Sequence, residues 1–399
     1  RPGPVVLALP EDMLRVSVAM PQLLPAAKTV VPAPAAHDMS ALAELLGASR
    51  KPLLLVGGGG WTTAASAHVT AFAEANQVPV AASFRCQDYL DNEHPLYIGH
   101  VGIGIDPNLA RRIKSCDLLI VLGPRLGEMT TSNYTLLTPP QTAMPLIHIH
   151  AAAEELGRVY HPTLAINAGA TNAAAALAAL GVVDRKVDPH WLRSGRDDFE
   201  AFCAGQDSPG PVQMRAIVND LRDTLADDAI VTNGAGNYAI WLHRFFTYRQ
   251  YRTELAPTCG SMGYGLPAAV AAAELYRDRQ VICFAGDGCF MMTCQEFATA
   301  VQYGLKLVVI VVNNGMYGTI RMHQERHYPG RVFGTDLINP DFAAMARAMG
   351  GFGDTVSNTG EFADVFAKAL DYSGPSLVEI RIDPEALTPD TSLTKMGSA

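Results

Sequence analysis

The chain has 399 residues, 49% hydrophobic and 17% charged, which suits two or three domains with large cores and excludes a disordered chain. Lys and Arg total 30 against 39 Asp and Glu, a formal charge of −9, and no Lys/Arg block offers a footprint for a phosphate backbone, so nucleic acid is not an expected partner. No apolar run reaches the ~18 residues of a spanning helix, so no membrane partner is expected either. The seven cysteines (Cys86, Cys116, Cys203, Cys259, Cys283, Cys289, Cys294) are scattered and form no CxxC pair. They read as reduced thiols of a cytoplasmic protein, and the N-terminal stretch has no secretory-signal pattern.

Residues 4–9 read as a short apolar strand with a turn at 10–13. Pro21, Pro25, Pro32 and Pro34 then mark an extended linker. A lone strand cannot bury its faces, so the expectation is a sheet completed by a segment preceding Arg1. From residue 38 to about 181 strands and helices alternate. Residues 52–56 form a continuous apolar run, typical of a strand buried on both faces. Gly57 to Gly60 follow, and an Ala-rich helix is predicted over 62–76. Further strands are predicted at 78–81, 118–122, 146–149 and 164–166. Residues 184–210 are polar and turn-rich, a second linker with a short helix near 190–203.

A second unit starts at Val212. Its predicted strands are 229–232, 281–285, 307–312 and 376–382, and its helices 212–225, 267–276, 293–303, 341–349 and 361–371. The residues after Asp383 read as a surface extension. Alternating strands and helices build parallel sheets with right-handed crossovers. The fold class is therefore α/β, two doubly wound parallel-sheet domains plus one strand of a third.

Gly286-Asp287-Gly288 closes one predicted strand, and Asn313-Asn314 closes the next, with a crossover helix between. Ligands of open α/β sheets bind beyond the carboxyl ends of the strands, and neighbouring strands lie ~4.8 Å apart. This register brings a carboxylate and an amide oxygen toward one hard cation such as Mg²⁺. Gly286 and Gly288 allow close backbone approach to a phosphate. Asn233-Gly234-Ala235-Gly236-Asn237-Tyr238 follows another strand and leads into a helix-like stretch, a second phosphate cradle.

With these motifs the chain resembles the thiamine-diphosphate-dependent enzymes, whose diphosphate motif begins GDG and ends NN. Cys259-Gly260-Ser261-Met262-Gly263-Tyr264-Gly265-Leu266-Pro267 matches a further segment of that family, and Gly315-Met316-Tyr317-Gly318 another. The resemblance is nearest to acetolactate synthase-like proteins. It implies a remnant of a pyrimidine-binding domain with its linker at 1–37, a central domain at 38–183 and a diphosphate-binding domain at 184–399. It implies cofactor contacts at Gly236, Asn237, Tyr238, Gly286, Gly288, Cys289, Tyr317 and Gly318, with Met262 under the bent cofactor. It implies Mg²⁺ held by Asp287, Asn314 and the Met316 carbonyl.

The activity so implied is decarboxylation of a small 2-oxo acid, with carboligation to an acceptor carbonyl, in a homodimer or homotetramer. The family's activating glutamate belongs to the pyrimidine-binding domain, so no catalytic residue is assigned and the isolated chain is expected to turn over little. His323, His327 and Arg321 are candidates for a substrate pocket, from their place after the metal segment. Departures also matter: residues 122–128 and His148–His150 lack the acidic pattern of FAD binders, so FAD is not expected, and Arg125 alone is kept as a flavin contact. His148 and His150 share a strand face and read as a satisfied interior pair. The alternatives are a non-carboligating decarboxylase of benzoylformate or oxalyl-CoA type, a non-catalytic nucleotide-binding module, and a dehydrogenase using Gly57 to Gly60. That glycine run lacks a clean GxGxxG and a ribose-binding acid.

Overall fold

The computed structural model describes residues 3–397. Apolar runs buried on both faces become the central strands of two six-stranded parallel sheets. In the first, β1 (Pro52–Val56), β2 (Val80–Ala82), β3 (Tyr97–His100), β4 (Leu118–Leu122), β5 (Leu146–His150) and β6 (Leu164–Asn167) lie in the order β3-β2-β1-β4-β5-β6. Strand β1 pairs with both β2 and β4, so the winding reverses there. Alternation fills both faces: Leu54, Val56, Ile120 and Leu122 enter one core, and Leu53, Leu55, Leu119 and Val121 the other.

The second sheet contains β7 (Ile230–Asn233), β8 (Glu254–Leu255), β9 (Val281–Gly286), β10 (Val308–Asn313), β11 (Phe352–Val356) and β12 (Ser376–Arg381), in the order β11-β12-β10-β9-β7-β8. Ile282, Phe284 and Ile310 pack on one face, Cys283, Ala285, Val309 and Val311 on the other. Three strands of these two sheets do not announce themselves in the sequence, namely β3, β8 and β11, and all three are edge strands. An edge strand pairs on one side only and needs no long apolar run, so periodicity misses it.

Two expectations are corrected. Residues 4–9 form no strand, and Val5 and Val6 are each 92% exposed; among the described residues nothing pairs with them. Residues after Asp383 are no surface extension: β13 (Ala386–Thr388) and β14 (Thr391–Ser392) form a small antiparallel pair, and Ala386 and Leu387 are buried. The helix predicted at 293–303 is shorter, Glu296–Gln302, and a separate one-turn helix, Asp287–Phe290, precedes it.

The Gly57 to Gly60 run has a packing explanation. Gly58 has φ +72°, and a Cβ there would lie 2.1 Å from the Gly123 carbonyl oxygen. The turns after β1 and β4 thus touch backbone to backbone, which only glycine permits. His148 and His150 are buried and bonded locally, His148 Nε2 to the Pro124 carbonyl at 3.1 Å and His150 Nδ1 to the Ala152 amide at 3.0 Å. Burial holds His148 down at about 4, neutral near pH 7.

The two sheets are fastened by the segment after β2. Asp88 accepts hydrogen bonds from the backbone N–H groups of Arg252, Thr253 and Glu254 at 2.8, 3.0 and 3.2 Å. Glu254 in turn accepts one from the Gln87 amide at 2.7 Å.

Candidate active site

Strands β9 and β10 are adjacent, with Gly286 opposite Val312, so their carboxyl ends lie side by side. Asp287 and Asn314 leave those ends into one cavity. Gly236, Asn237 and Tyr238 line it from the turn after β7, and Met262 from the loop after β8. Gly288, Cys289, Met316, Tyr317 and Gly318 complete its floor and walls, so all of the sequence-derived cofactor and metal candidates border one space. Ile382, at the end of a predicted strand, and Ala386 and Leu387, expected in a surface extension, close another side.

Asp287 is 3% exposed. Its Oδ1 accepts from the Gly288 amide at 2.8 Å, and Oδ2 from the Gly315 amide at 3.0 Å and the Asn339 side-chain amide at 2.8 Å. Burial raises its pKa, against the pull of these donors. Carboxylate oxygens that accept from N–H groups can also coordinate a cation. A bound cation would relieve the same desolvation that raises the pKa. The Asn314 Oδ1 accepts from the Met316 amide at 3.3 Å. The Met316 carbonyl accepts from the Gly318 amide at 2.9 Å and keeps a second lone pair. Carboxylate, amide and carbonyl oxygens form the hard donor set that Mg²⁺ favours.

Asn339 was not visible as a site residue in the sequence. Met316 bridges Asp336, Tyr317 donates to the Thr335 carbonyl, and Leu337 donates to that of Gly315. This short pairing carries Asn339 to the tips of both strands, where its amide holds Asp287 and, at 2.9 Å, the Asn313 side chain. Supporting donors of this kind orient metal ligands and change metal affinity by ~10–100-fold when lost. Asn339→Ala is expected to weaken Mg²⁺-dependent cofactor binding by about that factor, as isothermal calorimetry would measure.

Cys289 connects the loops. Its Sγ accepts from Tyr238 Oη at 3.2 Å and from the Gly263 amide at 3.3 Å, and Tyr238 Oη accepts from the Gly234 amide at 3.1 Å. Gly234 has no room for a side chain, since a Cβ would sit 2.4 Å from that sulfur. Thr319, also missed, exchanges hydrogen bonds with Asn237 at 3.0 and 2.8 Å and fixes the start of the helix Tyr238–Phe245. Gly288 leaves its space to the Tyr317 ring.

The proposed substrate-pocket residues sit elsewhere. The helix Gly318–His327 sends Thr319 and Ile320 to the cavity. His323 and His327, further along, are exposed and stack on each other with centroids 6.1 Å apart. Arg321 is paired with Glu325 at 2.7 Å. None of the three lines the cavity. Arg125 lines a separate cavity beyond β4 and β5, with Glu128, His148 and Arg158.

Comparison with known proteins agrees with this architecture. Residues 39–179 match the model for the thiamine pyrophosphate enzyme central domain, and residues 234–380 that for the C-terminal TPP binding domain. The chain belongs to the thiamine pyrophosphate (thiamine diphosphate) enzyme family. It is 30% identical over 391 residues to the acetolactate synthase isozyme 1 large subunit of Escherichia coli, covering 96% of this chain and 68% of that protein. It is 27% identical over 395 residues to the acetolactate synthase large subunit of Parasynechococcus marenigrum, covering 96% and 63%. A putative thiamine pyrophosphate-containing protein, YdaP of Bacillus subtilis, is 28% identical over 365 residues, covering 89% and 61%. The chain thus spans about two thirds of the length of these relatives.

Proposed function

We propose that this chain forms the diphosphate- and Mg²⁺-binding half of a site for decarboxylation and carboligation of small 2-oxo acids, as in acetolactate synthases. The observation that carries the reading is the charge inventory of the cavity. Among the described residues its one carboxylate is Asp287, and no Lys, Arg or His lines it. A diphosphate beside that carboxylate needs a divalent cation to offset both, and the oxygens of Asp287, Asn314 and Met316 would hold it.

The residues present fit thiamine diphosphate. Gly236 and Gly288 would bring backbone close to the diphosphate, Asn237 is pinned by Thr319, and Met262 would offer a polarizable surface to the rings. When bound, the cofactor supplies the electron sink that accepts the pair left by departing CO2. The protein's part is to hold the diphosphate end, exclude water with Trp241, Val312 and Leu387, and fix the cation. A second carboxylate for proton transfer would come from a surface beyond this cavity, across its open mouth. Exposed Met291, Met292 and Ile338 on the bordering segments suit a homodimeric or homotetrameric contact there. The seven unpaired cysteines fit a reducing, cytoplasmic compartment.

Calorimetry tests the reading. Thiamine diphosphate should give saturable heat with Mg²⁺ and none with chelator, and pyruvate should release CO2 once the site is complete. Saturable heat with NADH that ignores Mg²⁺ would instead favour a dehydrogenase.

A further inference from the structure

The segment between β2 and β3 sends one side chain into the other half of the molecule. Arg85 is 7% exposed and has φ +58°, a backbone conformation that non-glycine residues adopt only where the surroundings enforce it. Its Nη1 donates to the Pro257 carbonyl at 2.5 Å and its Nη2 to the Gly234 carbonyl at 2.6 Å. The guanidinium lies 4.8 Å from the Phe84 ring centroid. Its hydrogen-bond acceptors are carbonyl oxygens rather than a carboxylate.

Those two carbonyls belong to the two loops that frame the cofactor cavity. Gly234 opens the turn carrying Gly236, Asn237 and Tyr238, and Asn233 Nδ2 shares its carbonyl at 2.8 Å. Pro257 opens the turn closed by the Gly260 amide at 2.9 Å, which leads to Met262. A rigid fork with two parallel donors fixes the separation of two acceptors, which one ammonium cannot do. Arginine stays charged even when burial lowers its pKa. Its charge lies behind both loops, with the buried Glu254 carboxyl among its neighbours.

We propose that Arg85 is a positioning residue for the cofactor site: it sets the spacing between the diphosphate turn and Met262 and places positive charge behind that turn. The inference rests on the site reading given above. Arg85→Ala is expected to weaken thiamine diphosphate binding, measured by calorimetry with Mg²⁺, by about 10- to 100-fold. Guanidinium chloride at tens of millimolar should restore most of the affinity, and equal NaCl should not. Arg85→Lys, which keeps charge and bulk, should lose about tenfold through the missing second bond and stands in if the alanine variant does not fold. Affinity within twofold of the parent in whichever of these variants folds, or a loss that guanidinium does not restore, would overturn the proposal. Asp287→Ala serves as the reference: if it leaves binding intact the site reading itself fails, whereas if it abolishes binding and the Arg85 variants do not weaken it, only the role of Arg85 falls.

Discussion

In Asp287→Ala, Mg²⁺-dependent binding of thiamine diphosphate is expected to fall by roughly 2–5 kcal/mol, from about thirtyfold to several thousandfold. The substitution removes the one anionic ligand of the cavity and leaves the amides of Asn339, Gly315 and Gly288 without their acceptor. The apo chain should respond differently. Burial already disfavours the Asp287 charge when no cation is present, so Asp287→Asn, which drops the charge but turns one accepting oxygen into a donor facing these amides, should lose binding with a smaller loss of thermal stability than Asp287→Ala. Calorimetry and thermal unfolding on the same two variants separate a ligand from a merely structural carboxylate.

The second large effect concerns pH. Glu254 and Asp88 lie buried against each other where the two sheets meet. Asp88 has three backbone donors, whereas Glu254 has one, and Glu254 Oε1 has no hydrogen-bond partner. The proton therefore rests on Glu254, whose pKa is pushed up to about 8 by burial and by the Asp88 charge, with Arg85 opposing. A carboxyl with a raised folded-state pKa contributes stability that is complete below the unfolded value near 4.5 and is lost as pH rises through about 8. Glu254→Gln keeps the acceptor for Gln87 and never ionises. Its unfolding free energy should match the parent near pH 4.5 and exceed it above pH 8, by on the order of a few kcal/mol. A variant less stable than the parent at pH 9 would show that the buried pair is held as two charges.

How far the sequence reaches is clear from individual residues. Asp287 and Asn314 were legible because apolar runs locate β9 and β10, and adjacent parallel strands deliver their ends to one place. Gly236, Met262 and Met316 were legible through motifs tied to those ends. Asn339 and Thr319 act through a loop pairing and a helix start that carry no periodic signal. Arg85 comes from the other sheet, and nothing local marks a side chain whose partners lie far along the chain. The edge strands β3, β8 and β11 escaped because half-paired strands need little hydrophobicity. The tail escaped because Ala386 and Leu387 are an ordinary apolar pair until the cavity gives them a wall to form. His323 and His327 show the converse, since helical spacing placed them together but could not say which way their shared face looks.

A single divalent ion would be held between the tips of β9 and β10. A crystal of the chain grown with thiamine diphosphate and Mn²⁺ in place of Mg²⁺, with anomalous scattering recorded for the metal, tests it directly. The account predicts one metal peak at ~2.0–2.2 Å from oxygens of Asp287, Asn314 and the Met316 carbonyl, with diphosphate oxygens completing its shell. A diphosphate bound with its cation away from Asp287 and Asn314 would contradict it.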